Sequence, residues 1–240
     1  MGSDLWDGTW SGRQPVGDVH HRAREIVRRT GGIVRGKFPS RKNGRMVHHE
    51  GVLELDAIYL FETSQRIVRY REQPETINYP DGKKLRRYTP DFELQLTSGA
   101  IVLIEIKPAF YLGDRKVKHK LNVVSEHLQR SDKAFEVLTE KQIRESPRLD
   151  NLRFIYHRAS RVPHTREYLI TALNRHRHDF PLAIDRVTSL FAKYSITPYC
   201  LLLSGLLRCD HNKQIGLDTQ LHLREGSDHD WLFSANQHGF

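Results

Sequence analysis

The chain is short of cysteine, short of acid relative to base, and without a long apolar run. Its two cysteines, Cys200 and Cys209, have eight residues between them, which makes neither a disulfide framework nor a paired C-x-x-C zinc site. His211 lies near Cys209, but no further zinc partner is evident, so buried thiols in a reducing cytoplasm are expected. The longest apolar run, "YCLLLSGLL", is too short to span a bilayer, and no apolar signal-peptide core is present at the N-terminus. No membrane role is expected. Internal repeats and low-complexity stretches are also missing.

What is present fits a soluble globular protein. The 240 residues are 38% hydrophobic and 28% charged, enough for one large domain or two modest ones. Lys and Arg number 38 against 29 Asp and Glu, a net charge of +9 with a pI near 9.6. That balance favours a polyanionic partner, nucleic acid first, with a merely soluble basic protein as the plain alternative.

Residues 20–49 hold nine Lys or Arg and one acid, and their Gly pair and "PSRKNG" turn signals predict extended or loop backbone. Arg41, Lys42 and Arg45 are candidates for an arm along a phosphate backbone. A solvated basic loop is the competing reading. Residues 50–62, "EGVLELDAIYLFE", predict a helix, with Leu53, Ala57 and Leu60 at i, i+4 and i+7. Glu50 and Glu54 lie at the flank of that stripe.

Short β segments follow. "RIVRYREQP" and "ETINY" are β-branched and aromatic, "PDGKK" is a turn, and "DFELQL" and "AIVLIEIK" are joined by "TSG" as a hairpin. Residues 114–130 predict an amphipathic helix with Val117, Leu121, Val124 and Leu128 on one face and a basic opposite face that includes Lys116, Lys118 and Lys120. "AFEVLT" reads as a strand and "EKQIRES" as the start of a helix. The order is helix, β meander, helix, strand: an α/β sandwich. From about residue 160 the chain reads as helices, with Thr197 as N-cap and Pro198 opening the helix of "YCLLLSGLL". Ile215, Leu217, Thr219, Leu221 and Leu223 alternate with polar residues and predict a strand. Helices followed by a β ribbon suggest a small winged-helix-like domain. The expected division is a basic N-terminal segment (1–47), a first α/β domain (48–158) and the winged-helix-like domain (159–240).

One strand carries charges that its neighbours do not explain. "AIVLIEIKP" is apolar on both faces, yet it holds Glu105 and Lys107, which period 2 places on one face. An ionised side chain inside a sheet is costly unless it is paired or holds a metal. Asp91 follows "YTP" at the start of the neighbouring strand, so a hairpin turning near Ser98 and Gly99 brings it opposite the region of Glu105. Two carboxylates and an ammonium then converge. A hard divalent ion such as magnesium takes few carboxylates and fills its shell with water and phosphate oxygens. Between Asp91, Glu105 and a scissile phosphate it polarises the P–O bond and acidifies a bound water. Lys107 would orient that water or offset charge on the pentacoordinate phosphorus. A glutamate from the preceding helix would complete the set. A strand-edge ion pair, with Asp91 merely starting a turn, is the plainer alternative.

"TPDF" followed by "LIEIKP" resembles the core motif of the PD-(D/E)xK nuclease superfamily. More narrowly, "GRMVHHEGVLELDAIYLFE", "IVRYREQPETINY", "YTPDFELQ", "VLIEIKPAF" and "FEVLTEKQI", in that order, resemble the TnsA family, the endonuclease subunits of heteromeric cut-and-paste transposases. The resemblance spans roughly residues 44–143. It implies a restriction-endonuclease-like fold with Glu54, Asp91, Glu105 and Lys107 as the catalytic set, Glu50 being the rival helix carboxylate. Asp91, Glu105, Glu54 and the main-chain carbonyl of Ile106 would hold magnesium, with manganese as a substitute and two ions per site. Some relatives have glutamine where Glu105 stands. The family also implies a bacterial, cytoplasmic protein that cuts the non-transferred 5′ strand of double-stranded DNA at transposon ends. Its partners would be a DDE transposase (TnsB-like) and an AAA+ regulator (TnsC-like). Another PD-(D/E)xK nuclease of restriction or repair type, or a catalytically idle DNA- and transposase-binding adaptor, are the other functions the residues allow.

Overall fold

Period-2 and period-3.6 apolar patterns set most element positions, and the computed structural model, which describes residues 20–23, 34–160 and 164–224, shows how they assemble. The first half runs β1 (Gly36–Ser40), β2 (Arg45–His49), α1 (Val52–Thr63), β3 (Ile67–Glu72), β4 (Ile77–Asp81), β5 (Lys84–Tyr88), β6 (Phe92–Leu96), β7 (Ile101–Ile106), α2 (Arg115–Arg130), β8 (Ala134–Leu138), α3 (Glu140–Ile143) and α4 (Arg148–Arg158). A four-stranded sheet in the order β3-β6-β7-β8 is its centre. Its first two pairings are antiparallel, and β7 and β8 run parallel. A parallel pair needs a crossover, which α2 supplies.

Strand β7 is covered on both faces. Val102, Ile104 and Ile106 pack into a core with Phe61 of α1, Phe92 of β6 and Leu152 of α4. Leu103 packs on the other face with Val124 and Leu128 of α2 and with Tyr79 and Tyr88 of the separate β4–β5 hairpin. The mixed α/β architecture expected from the sequence is present. Helix α1 lies inside it, every residue from Asp56 to Thr63 being buried.

Buried charge on α1 is paired rather than solvated. Asp56 meets Arg144 at 2.7 Å and also pairs with Arg153, which ties α1 to the chain around α3 and α4. Glu62 accepts from Ser40 Oγ at 2.8 Å, Arg41 N at 2.7 Å, Lys42 N at 3.1 Å and Tyr70 Oη at 2.8 Å. This carboxylate organises the turn between β1 and β2. Glu72, at the end of β3, takes both guanidinium nitrogens of Arg45, at 3.0 and 2.7 Å. A buried, bidentate pair of this kind fixes orientation as well as charge.

These contacts correct the expectation of a basic arm over residues 34–49. Arg45 is 7% exposed and pairs with Glu72. Arg41 donates to the carbonyls of Ser160 at 2.9 Å and Ala159 at 3.1 Å, at the carboxyl end of α4. Lys42 Nζ donates to the carbonyls of Ser64 and Ile67. All three engage the fold, Arg45 from the interior and Arg41 from an exposed position. The rest of the expected arm, residues 24–33, lies outside the described residues. The boundary expected after residue 47 also falls inside a hairpin, since Phe38 of β1 and Val47 of β2 belong to one core with α1 and the central sheet.

The second half contains α5 (Arg166–Asn174), β9 (Leu182–Ala183), α6 (Ile184–Phe191), α7 (Pro198–Leu203), β10 (Leu207–Arg208) and β11 (Gln220–Leu223). The strands form a small sheet in the order β10-β11-β9. Thr197 Oγ1 accepts from Cys200 N at 3.3 Å and Pro198 occupies the first turn of α7, the N-cap chemistry read from the sequence. Leu201 and Leu202 are 0% and 2% exposed, so α7 is core. The alternation over Ile215–Leu223 does not make one strand. Gly216 and Thr219 close a turn, with Gly216 N donating to Thr219 Oγ1 at 2.9 Å, and only Gln220–Leu223 pairs. The thiols are free: Cys209 is buried beside His211 at 3.4 Å, and Cys200 is partly buried. Among the described residues no helix is long and apolar enough to cross a membrane.

Helix α4 belongs to both halves. Leu149, Leu152 and Tyr156 join the first core, and Ile155 joins the second. Asn151, 2% exposed, donates to the carbonyls of His211 at 3.2 Å and Lys213 at 2.7 Å, and accepts from Ile215 N at 2.9 Å. Gln65 donates to the Leu203 carbonyl at 2.7 Å, and Gly205 (φ 70°) leaves room for it, because a Cβ there would come within 2.6 Å of the Gln65 side chain.

Replacing Arg45 strands the buried carboxylate of Glu72, so Arg45→Ala should lower unfolding free energy by about 3–5 kcal/mol in a urea titration. A loss below about 1 kcal/mol, the size expected of an exposed pair, would mean that the Arg45–Glu72 pair does not anchor the β1–β2 hairpin.

Candidate active site

The β6–β7 register decides which charges meet. Phe92 pairs with Ile104, so Asp91, one residue before β6, is level with Glu105. Both lie on the face opposite Phe92 and Ile104. Asp91 is fixed at two points. Its carboxylate accepts from Ile106 N at 2.7 Å and its main-chain carbonyl accepts from Gln73 N at 2.8 Å. Gln73 holds φ 46°, in the left-handed region that residues other than glycine seldom occupy. The turn after β3 is thus bent to grip the start of β6.

Glu105 is 4% exposed and engaged at both oxygens. Tyr88 donates its hydroxyl to Oε2 at 2.7 Å, and Lys107 Nζ stands 3.1 Å from Oε1. Burial, and after it the charge of Glu105, raises the Tyr88 hydroxyl pKa further above its ordinary value, so Tyr88 remains a proton donor here. Burial alone would lower the Lys107 pKa, but Glu105, Asp91 and Glu54 together outweigh it and the net shift is upward. Lys107 is therefore an ammonium at neutral pH. It can donate hydrogen bonds and offset negative charge, and it is not a base.

Asp91 has the opposite problem. Burial, then the charges of Glu105 and Glu54, pushes its carboxyl well above the usual carboxylate range, against the pull of Ile106 N–H and Lys107. The helix carboxylate felt at the site is Glu54. Its rival Glu50 sits 3.9 Å from Arg35, and its main-chain N–H donates to Glu54 Oε2 at 2.7 Å. The structure thus brings together Glu54, Asp91, Glu105 and Lys107, and leaves Arg41, Lys42 and Arg45 in the fold contacts described above. Lys116, Lys118 and Lys120 are exposed on α2, whose N-cap is Asp114. Lys120 Nζ lies 4.8 Å above the Tyr88 ring.

The donors at this site are oxygen atoms, the chemistry of a hard cation rather than zinc or copper. Among the described residues no cluster of three or more His, Cys, Asp or Glu side chains stands in a ready metal-binding arrangement. The mutual repulsion felt by Asp91 is nevertheless what a cation would relieve, and a magnesium-type ion needs only one or two carboxylates besides water and phosphate. The residues present fit such an ion. Sequence reasoning missed Tyr88. Its signal was the "RRYTP" context, an aromatic residue three positions before Asp91 with cations on its other side.

Residues 64–140 match the family model described as TnsA-like endonuclease N terminal. That segment, about a third of the chain, is similar to the TnsA-like endonucleases. The match runs from the end of α1 to the start of α3, so the TnsA-like segment includes Asp91, Glu105 and Lys107 while Glu54 precedes it. A search of curated proteins finds no match for the chain.

A carboxyl whose pKa is raised on folding stabilises the fold only while it is protonated. That contribution is complete below the ordinary carboxylate pKa and is lost as pH rises through the raised one. In chelator, Asp91→Asn should therefore melt higher than wild type at neutral pH, by roughly 2–4 °C for each kcal/mol of repulsion removed. The gap should shrink as pH falls toward the ordinary carboxylate range. Equal melting curves at all pH values would mean that Asp91 bears no such repulsion.

Proposed function

We propose that this TnsA-like protein is the metal-dependent DNA endonuclease subunit of a heteromeric transposase, hydrolysing the non-transferred 5′ strand at transposon ends. The observation that carries the reading is the convergence of Asp91, Glu105 and Lys107, with Glu54 from α1, at the end of the central sheet of a TnsA-like domain. Asp91 and Glu105, with Glu54 and the main-chain carbonyl of Ile106, would hold magnesium, manganese substituting and two ions occupying the full site. Bound there, such ions supply Lewis-acid polarisation of the scissile phosphate and an acidified water nucleophile.

The protein's own residues do the remaining work. Glu105 is held by Tyr88 on one oxygen, which fixes its rotamer before substrate arrives. Lys107 reaches the surface as a cation, its side chain 31% exposed, and is placed to orient the attacking water or to meet charge developing on the phosphoryl oxygens. The apolar residues beneath, Ile104 and Ile106 on one face and Leu103 on the other, keep the strand from moving.

The second half supports a partner-binding role. Its order of helices and short strands is compatible with a winged-helix-like unit, but α7 spends Leu201 and Leu202 on the core and offers no polar recognition face. We assign this half to protein contacts, with a TnsB-like DDE transposase and a TnsC-like AAA+ regulator as partners. The site of action is the bacterial cytoplasm.

The deciding experiment mixes the chain with its transposase, donor ends and magnesium, and maps cuts on each strand. Asp91→Ala should retain 3′-strand cleavage and lose the 5′-strand cut. Equal cutting of both strands by wild type and variant would sink the assignment. Glu54→Gln should slow the 5′ cut by about 100-fold or more, while Glu50→Gln stays within a few fold; the reverse order would make Glu50 the helix carboxylate. Calorimetry with manganese should show binding to wild type and none to Asp91→Ala.

A further inference from the structure

The sequence predicts the first strand and the turn of the β4–β5 hairpin but not β5, and apart from the Arg86–Asp81 pair the hairpin's cations serve no fold contact comparable to those of Arg41, Lys42 and Arg45. Its four cations, Lys83, Lys84, Arg86 and Arg87, are all exposed, and Leu85 between them is 75% exposed. Register puts Tyr79 opposite Arg86 and Ile77 opposite Tyr88, on the face that meets the core beside Leu103. Leu85, opposite Pro80, and Arg87, opposite Asn78, therefore project from the other face.

The hairpin is docked against the first half of α2. His119 meets Asp81 at 2.9 Å, and Lys120 lies over the Tyr88 ring. That half of α2 adds Arg115, Lys116, Lys118 and Lys120, all exposed. Across residues 81–88 and 114–120 there are eight Lys or Arg and two acids, Asp81 and Asp114. Both acids are engaged: Asp81 by Arg86 at 2.5 Å as well as by His119, and Asp114 as the N-cap of α2. The surface is therefore strongly cationic. Its inner edge is Tyr88, the residue that holds Glu105.

We propose that the β4–β5 hairpin and the first half of α2 form one clamp for duplex DNA, with the hairpin as a ribbon laid along a groove and α2 following the adjacent backbone. The proposal rests on the nuclease reading for its purpose but not for its geometry. A two-stranded ribbon fits a DNA groove, and cations on two adjoining elements can neutralise phosphates on both sides of it. Because Tyr88 is both the foot of the hairpin and the donor to Glu105, DNA held by the clamp lies next to the carboxylates that are to act on it.

The test measures binding of a short fluorescein-labelled duplex by anisotropy, in chelator, over a range of salt, with the full chain carrying Asp91→Asn. In that background Lys83→Glu/Lys84→Glu/Arg87→Glu should weaken binding by about 30-fold or more and flatten the log–log salt slope by roughly 3, near one unit for each lost phosphate contact. Arg177→Glu/Arg186→Glu/Lys213→Glu, exposed positions in the second half, makes the same change in net charge and should stay within about threefold. Melting curves confirm that each variant is folded. If the hairpin variant and the control lose affinity equally, net charge alone is responsible and the clamp is refuted. If the hairpin variant binds DNA normally, yet the same three substitutions in a chain with Asp91 intact abolish cutting beside the transposase, the surface faces protein, and the clamp is again refuted. A clamp that binds DNA in a protein that never cleaves would leave this inference standing and remove the nuclease reading.

Discussion

Two carboxylates held level across neighbouring strands repel each other, and burial removes the water that would screen them. Asp91 and Glu105 are in that position because the β6–β7 register allows no other. Around them the fold sets three donors: Ile106 N–H for Asp91, Tyr88 hydroxyl and Lys107 ammonium for Glu105. These offset the repulsion without cancelling it, since Asp91 still resists ionisation. The repulsion between these carboxylates, held between rigid strands, is what a bound cation would relieve. The same charge would be a liability in a protein with nothing to bind there, which is the physical reason to favour an active centre over an idle adaptor.

Helix α1 shows how one element divides its acids among tasks. Glu54, in the first turn and only partly buried, faces the reactive end of the sheet. Asp56 and Glu62, fully inside, hold Arg144 with Arg153 and the β1–β2 turn. Their spacing explains the split, because residues two and eight positions from Glu54 leave the helix in different directions. The helix that carries a site residue is thereby clamped to its surroundings at two further points, and Glu54 inherits that rigidity.

Much of the site was legible because its signals are local. Glu105 and Lys107 stood out as charges in an apolar strand, and the short "TSG" connection fixed the partner strand and hence Asp91. The Thr197–Pro198 cap was legible for the same reason. The fates of Arg41, Lys42 and Arg45 were not, because their partners lie 20 to 119 residues away in sequence. A basic stretch looks the same whether its cations meet phosphates or buried carboxylates and helix-end carbonyls. The alternation through Ile215–Leu223 misled for the converse reason: a turn closed by Gly216 and Thr219 keeps apolar residues two apart without pairing them, and leaves Leu217 68% exposed.

The chain's excess of positive charge therefore has to be divided before it says anything about partners. Arg45, Arg144 and Arg153 neutralise buried acids, and Arg41 and Lys42 cap main-chain carbonyls, so the fold itself consumes them. Among the described residues, a dense group of eight exposed cations lies on the β4–β5 hairpin and the first half of α2. These elements cover the face of the sheet that bears Glu105, and Tyr88 joins them to it. A fully solvated cation would be equally soluble anywhere on the surface, so its placement beside the carboxylates is the informative part. The net charge of +9 favours a polyanion, and the dense cationic group beside the carboxylates is where the proposed clamp would hold it.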